Sequence, residues 1–110
     1  MRRSRPAIAK PVLTVIAGGP DTGKSLIAEA LVAYRGQAMI ARDHVRALLQ
    51  HQVDEWLITL TTFAMARELL RAGISVCAVG WNLEPDDRAG WTAVARETGA
   101  DCRWVQVEAG

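Results

Sequence analysis

Several features are scarce in this sequence of 110 residues, and each scarcity argues against a class of protein. There are only two cysteines, Cys77 and Cys102, without the close paired spacing of a zinc site, so we expect buried, reduced thiols. No apolar run approaches the ~18 residues that a membrane-spanning helix needs. The basic N-terminus is not followed by the apolar stretch and small-residue cleavage site of a signal peptide. We therefore expect a cytoplasmic protein without a membrane segment.

Excess charge is also lacking, because the formal net charge is only +1. Residues 1–11 contain no anion and four cations, which leaves the remaining residues at about −3; the cations are Arg2, Arg3, Arg5 and Lys10. A body this close to neutral excludes a general surface for polyanions, so any contact with nucleic acid must be local. We expect residues 1–11 to be a basic, disordered leader, and the alternative is an arm that touches nucleic acid. Residues 12–110 are expected to form one domain.

Apolar, β-branched segments alternate with helical patterns along residues 12–107. The segments predict strands at 12–17, 38–41, 74–79 and 102–107, and the patterns predict helices at 24–34, 43–50, 54–72 and 84–98. In the second of these helices Asp43 is a candidate cap. This alternation predicts an α/β fold: a small parallel sheet of about four strands with helices on both faces.

Large apolar side chains supply the candidate core. For the long helix over 54–72 the predicted inner face consists of Trp56, Leu57, Leu60, Phe63, Ala64 and Leu70. Three tryptophans, Trp56, Trp91 and Trp104, stand at positions that are compatible with a core, so we interpret them as packing residues.

Between the first strand and its helix lies a complete G-x-x-x-x-G-K-[ST] motif. It consists of Gly18, Gly19, Pro20, Asp21, Thr22, Gly23, Lys24 and Ser25. The glycines allow backbone N–H groups to converge on phosphate oxygens, and the helix N-terminus adds partial positive charge. Lys24 is expected to reach the β- and γ-phosphates of ATP, and the Ser25 hydroxyl to ligate Mg²⁺. The alternative, a chance glycine turn, does not account for the strand and helix on either side. The charge of Asp21 is expected to weaken phosphate binding.

A second polar group, Arg42-Asp43-His44-Val45-Arg46, follows the second strand. An aspartate at the carboxyl end of a strand, facing a phosphate loop, is well placed to accept a proton from an attacking hydroxyl. Arg46 lies one turn further along the helix and is a candidate to hold an anionic substrate. The alternative is that Asp43 only caps the helix and Arg46 only faces solvent.

Three segments together resemble the kinase domain of phage-type 5′-hydroxyl polynucleotide kinases, an AAA-type kinase domain within the P-loop kinases. They are GGPDTGKS at 18–25, ARDHVR at 41–46 and NLEPDDRAGW at 82–91. The resemblance implies a P-loop NTPase fold in which the third strand lies beside the first. It also implies ATP and Mg²⁺ as ligands, with Lys24 and Ser25 binding triphosphate and metal.

The same resemblance implies roles on the acceptor side. Asp43 is implied as the general base, Arg42 and Arg46 as substrate-binding residues, and Asn82 as a residue that shapes the acceptor side of the cleft. Lys24, Asp43 and Arg46 are thus the candidate catalytic residues. Trp81 is a candidate for stacking on an acceptor base, or alternatively for covering an edge of the sheet.

Two family features have no counterpart in this sequence. The family's acidic residue after the third strand is replaced by Gly80. The family also continues beyond the fourth strand into a lid helix, whose arginine neutralises the transferring phosphoryl group, whereas this sequence stops at Gly110. We therefore expect slow or undetectable turnover from residues 1–110 alone.

Three functions remain as hypotheses. The first is a kinase that transfers the γ-phosphoryl group of ATP to a hydroxyl, either a nucleic-acid 5′-hydroxyl or a small molecule. The second is a catalytically degenerate nucleotide-binding module that acts through a protein partner or a second copy, and the exposed last strand is a candidate for such pairing. The third is a GTPase-like switch. The D-x-x-G pattern of Asp87–Gly90 falls within a predicted helix, and no N-K-x-D guanine motif is present.

Overall fold

The computed structural model describes residues 10–19, 22–49, 52–80, 82 and 84–108. The strands are β1 (Val12–Ala17), β2 (Ala38–Ala41), β3 (Val76–Gly80) and β4 (Asp101–Gln106), and the helices are α1 (Lys24–Arg35), α2 (Arg42–Leu48), α3 (Glu55–Arg71) and α4 (Pro85–Thr98). The predicted alternation of strands and helices is confirmed. The expected leader lies outside the described residues up to residue 9, so its disorder stays a prediction.

The four strands form one parallel sheet in the order β2-β3-β1-β4. The expected pairing of the first and third strands is confirmed, with Ala17 opposite Gly80. Ala41, the last residue of β2, is opposite Val79. The carboxyl ends of β1, β2 and β3 therefore meet at one edge of the sheet, which is where ligands bind in open α/β sheets.

Apolar side chains cover both faces of this sheet, as predicted. On one face α3 and α4 pack over Leu13 and Val15 of β1, in a core that includes Phe63 and Trp91. The rings of Phe63 and Trp91 meet edge to face with centroids 4.7 Å apart. On the other face α1 packs Ala28 against Ile16. Because β1 carries buried side chains on both faces, it is a central strand of the domain.

The predicted inner face of α3 was partly wrong. Its buried residues are Ile58, Thr62, Phe63, Ala66 and Leu70. Trp56 is 62% exposed and Leu60 is 52% exposed, because both lie on the side of the helix opposite Ile58. Both stripes have helical spacing, so the period alone did not indicate which one faces the sheet.

The three tryptophans also differ from one another. Trp91 is 2% exposed, and its role in packing is confirmed. Trp56 is 62% exposed and Trp104 is 45% exposed, so their interpretation as packing residues of the core was wrong. Trp104 lies on β4, an outer strand of the described sheet that has a single neighbour, β1. A large side chain there has less covering material than one on a central strand.

Two local predictions concern the helices α2 and α4. The predicted cap role of Asp43 was wrong: the cap residue of α2 is Ala41, and Asp43 lies inside the first turn. The D-x-x-G pattern lies inside α4, as expected. A Cβ on Gly90 would lie 2.3 Å from Cζ of Phe63, so this glycine allows α3 and α4 to approach closely. The glycine therefore has a packing reason unrelated to guanine nucleotides.

Both cysteines are free thiols: Cys77 is fully buried and Cys102 is partly buried. Burial raises the pKa of each thiol, because a thiolate is poorly solvated in an apolar environment. Among the described residues, no helix is long and apolar enough to cross a membrane.

Candidate functional site

The loop between β1 and α1 is braced by two hydrogen bonds to the carbonyl of Gly19. The carbonyl of Gly19 accepts bonds from Lys24 Nζ and from Thr22 Oγ1, each at 2.9 Å. Gly23 precedes α1 with φ of 87°, a left-handed conformation that glycine adopts without a steric penalty. Pro20 and Asp21 lie outside the described residues, so the predicted effect of Asp21 stays a prediction.

Gly18 is packed so closely that a side chain there would collide with the backbone. A Cβ at this position would lie 2.7 Å from the carbonyl oxygen of Val107 and 2.8 Å from Thr22 Oγ1. The backbone N–H of Val107 donates to the carbonyl of Ala17 at 2.8 Å. The start of the loop is thus held against the chain segment that follows β4.

A cleft of about 220 Å³ brings the loop together with the second polar group. It is lined by Lys24, Ser25, Glu29, Met39, Ala41, Asp43, His44, Val79 and Gly80. The side chain of Asp43 is 89% exposed. The sequence had predicted that the helix start and the end of β2 would face each other, and the sheet order produces this arrangement. The cleft therefore joins a candidate phosphate-binding group to a candidate proton acceptor.

Arg46 does not project freely into this cleft. Its guanidinium donates to both carboxylate oxygens of Glu55, at the start of α3, and to Asp43 Oδ1. The Glu55 hydrogen bond is the main reason that the pKa of Arg46 is raised above its already high ordinary value; burial opposes this and the bond to Asp43 adds to it. Arg46 therefore touches a cleft residue while its charge is balanced by two carboxylates.

Arg42, the other candidate substrate-binding arginine, is paired with an acid of α4. Its Nη2 donates to Asp87 Oδ1 at 2.8 Å, and the two side chains are 25% and 11% exposed. This partly buried ion pair ties the start of α2 to the first turn of α4. Arg42 is therefore paired with Asp87 and is not among the residues that line the cleft.

Asn82 turns its carboxamide into the protein interior. The side chain donates to the carbonyls of Ile16 and Ala78 and accepts a bond from Trp91 Nε1 at 3.0 Å. Asn82 is 5% exposed, and its φ of 48° lies in the left-handed region that asparagine tolerates better than most residues. Any influence on an acceptor would therefore act through the position of the β3–α4 connection. Trp81, the candidate stacking residue, lies outside the described residues.

Gly80 leaves open space in the wall of the cleft. The nearest heavy atom to a Cβ built on it is Nδ2 of Asn82 at 3.5 Å, an ordinary contact. Its φ is not positive, so the backbone does not require glycine. The position could hold a carboxylate, and the sequence provides none there.

The oxygen atoms of the cleft fit a magnesium ion that arrives with a nucleotide. Ser25 provides a hydroxyl, and Asp43 and Glu29 provide carboxylates near it. Within the described ranges, no group of three or more His, Cys, Asp or Glu side chains could hold a metal ion without other ligands. Mg²⁺ commonly takes one or two protein oxygens together with phosphate oxygens and water, which matches this limited set.

Sequence reasoning missed three residues of this region: Glu29, His44 and Glu55. Glu29 could have been found, because it follows Ser25 by one helical turn on α1. His44 lay inside the motif that drew attention to its neighbour Asp43. Glu55 had no local signal, since its contact with Arg46 depends on how α3 packs beside α2.

The parallel sheet, the braced loop and the cleft define the chain as a P-loop kinase-like nucleotide-binding domain. A family model described as an AAA domain (AAA_33) matches residues 13–110, so the chain belongs to that family. Comparison with curated proteins found no significant match.

Solved kinase structures share the fold at low sequence identity. The Pnkp1/Rnl/Hen1 complex matches with a TM-score of 0.76 and 21% identity, covering 94% of this chain and 38% of that one. The APS kinase CysC of Mycobacterium tuberculosis matches in a mutant form with 0.75 and 17%, covering 90% and 76%. Its complex with AMPPNP and APS matches with 0.73 and 18%, covering 88% and 62%. This chain spans less than two thirds of the length of several structures that it matches. One example is a kinase structure from Chloroflexus aurantiacus, of which it covers 58%.

Proposed function

We propose that this chain binds ATP with Mg²⁺ through residues 18–25 and transfers the γ-phosphoryl group to a hydroxyl acceptor. The observation that carries the proposal is the cleft that holds Lys24, Ser25 and Asp43 together. The three sequence motifs at 18–25, 41–46 and 82–91 resemble those of 5′-hydroxyl polynucleotide kinases. A nucleic-acid 5′-hydroxyl is therefore the acceptor that we test first. The likeness to a Pnkp1/Rnl/Hen1 complex described as an RNA repair complex supports testing a nucleic acid first.

In this mechanism the loop binds the phosphates and α2 provides the base. Backbone N–H groups at the start of α1 and the ammonium of Lys24 hold the β- and γ-phosphates, and Lys24 keeps two N–H donors besides the one given to Gly19. Ser25 would hold Mg²⁺, which when bound offsets negative charge on the phosphates. Asp43 accepts the proton of the acceptor hydroxyl as its oxygen attacks the γ-phosphorus and the bond to the ADP oxygen breaks. Arg46 orients Asp43 through their hydrogen bond.

A second candidate function is a nucleotide-binding module with little or no catalysis that acts through a protein partner. The observation that favours it is the absence of a carboxylate at Gly80, on the cleft wall. Both candidates require ATP binding, and only the kinase requires Asp43 as a base.

Two substitutions test these proposals. We expect Lys24→Ala to weaken binding of Mg²⁺–ATP by tenfold or more in calorimetry, because charge-assisted hydrogen bonds to phosphate are lost. We expect Asp43→Asn to keep ATP binding and to remove phosphoryl transfer to a 5′-hydroxyl oligonucleotide or a small hydroxyl compound. Unchanged ATP affinity in Lys24→Ala would contradict binding at the loop. Transfer that persists in Asp43→Asn would contradict the base, and absent transfer in the wild type with intact ATP binding would favour the module.

A further inference from the structure

One contact beside the cleft limits what the acceptor side can recognise. Nε of Arg46 donates to Glu55 Oε2 at 2.9 Å and Nη2 donates to Oε1, so one edge of the guanidinium is filled by a carboxylate. Nη1 is taken by Asp43. The side chain of Arg46 is 24% exposed, whereas that of Glu55 is 65% exposed. Glu55 thus occupies the Nε–Nη2 edge of Arg46 with a carboxylate that is itself largely exposed.

A phosphate and a carboxylate bind a guanidinium in the same way, through two parallel N–H···O bonds. An acceptor phosphate that approaches Arg46 must therefore displace Glu55, and it meets the negative charge of that side chain as it does so. An acceptor that carries only hydroxyl groups near its reacting atom meets neither obstacle.

We propose that Glu55 is a specificity-determining residue that occupies Arg46 and thereby favours hydroxyl acceptors without a neighbouring phosphate. This inference rests on the proposed function for the meaning of the cleft as an acceptor site. It narrows the acceptor of that site to a small hydroxyl compound, the alternative to the nucleic-acid 5′-hydroxyl that the resemblance places first. A nucleic-acid 5′ end, whose terminal nucleotide carries a 3′-phosphate, binds in the wild type only by displacing Glu55.

The test compares thymidine with thymidine 3′-monophosphate, using calorimetry on the full chain. We expect Glu55→Gln to bind the monophosphate about two- to fivefold more tightly than the wild type does, the range of a solvent-exposed ion pair. Binding of thymidine should be unchanged. Because the side chain of Glu55 is 65% exposed, we expect Glu55→Gln to fold like the wild type, and circular dichroism checks this.

Matched variants identify the cause of the gain. Glu55→Asp keeps the negative charge and should remain close to the wild type. Glu68→Gln removes one charge from the same helix, at an acid that lies 3.6 Å from Arg71, and should give no gain. Glu55→Gln combined with Arg46→Gln should lose the gain. Equal gains in Glu55→Gln and Glu68→Gln, or no gain in Glu55→Gln, would overturn the proposal.

Repeating the comparison in Lys24→Ala separates the acceptor side from the phosphate loop. A gain that persists in this background supports capture by Arg46, whereas a gain that vanishes there means that the loop binds the monophosphate, which overturns the proposal. None of these measurements needs turnover. A wild type that fails to bind ATP would contradict the proposed kinase function, while the effect of Glu55 on phosphate binding would still be measured.

Discussion

At the scale of single residues, the cleft contains one position where a side chain can be added without a collision. Gly80 faces the same space as Ser25 and Asp43, and its backbone does not require glycine. A carboxylate there would lie near any divalent cation that accompanies a nucleotide. It would also repel the phosphates themselves when no cation is present.

We therefore expect Gly80→Asp to make ATP binding more dependent on Mg²⁺. Affinity should rise by about fivefold with Mg²⁺, corresponding to ~1 kcal/mol for a solvent-screened charge pair, and should fall when the metal is chelated. Calorimetry with and without EDTA measures both signs. Gly80→Asn has the same shape without the charge and serves as the control, so a similar gain in that variant would exclude a charge effect.

The residues of the phosphate loop were predictable because their motif is contiguous in sequence. The loop and α1 are adjacent in the chain, and local backbone chemistry determines their shape. The position of Asp43 beside them followed from the end of β2 and the parallel order of the sheet. The partners of Arg42 and Arg46 were not predictable, because Asp87 and Glu55 reach them only through the packing of α3 and α4.

At the scale of secondary-structure elements, one buried side chain joins three of them. The carboxamide of Asn82 bonds to a carbonyl of β1, a carbonyl of β3 and the indole N–H of α4. The resemblance to polynucleotide kinases had implied a role for this residue on the acceptor side. Its observed partners make it a connector at the edge of the sheet where the cleft opens.

We expect Asn82→Ala to lower the free energy of unfolding by about 2–4 kcal/mol, because buried groups of Ile16 and Trp91 lose their partners. Urea denaturation measures this change. Trp91→Phe removes the indole donor and also part of a buried ring, so it should cost a similar amount. In a double-mutant cycle the two losses should be less than additive. Additive losses would mean that the bond between Asn82 and Trp91 contributes little.

The elements themselves were predictable from hydrophobic period and glycine stops, but their orientation was less so. In α3 two apolar stripes share the same helical period, and the stripe that contains Trp56 and Leu60 faces solvent. Only contact with the sheet distinguishes the two stripes. A single amphipathic pattern would have removed the ambiguity.

At the scale of the whole molecule, the two cysteines differ in how deeply their side chains are buried. Cys77 is fully buried on β3, between two other strands, whereas Cys102 is partly buried on the outer strand β4. Burial raises the pKa of both thiols, so both are protonated and slow to react at neutral pH while the chain is folded.

We expect iodoacetamide to label Cys77 only through global unfolding, and Cys102 through smaller openings that need less denaturant. Labelling pulses across a urea series, read by mass spectrometry, give an opening free energy for each thiol. Increasing the pH speeds labelling of both by raising the thiolate fraction, but it should not reverse their order. Faster labelling of Cys77 than of Cys102 would contradict the observed sheet order.

The order of the strands has a consequence for how the protein is made. β1 precedes the other described strands in the chain, yet its two neighbours in the sheet are β3 and β4, which are synthesised only after β2 and α3. Until then Leu13, Val15 and Ile16 have no strand to pack beside, and the apolar segment is exposed to chaperones or to other nascent chains. The phosphate loop that follows β1 is held in part by the backbone of Val107. The part of the chain that is translated early is thus the part whose structure is completed late.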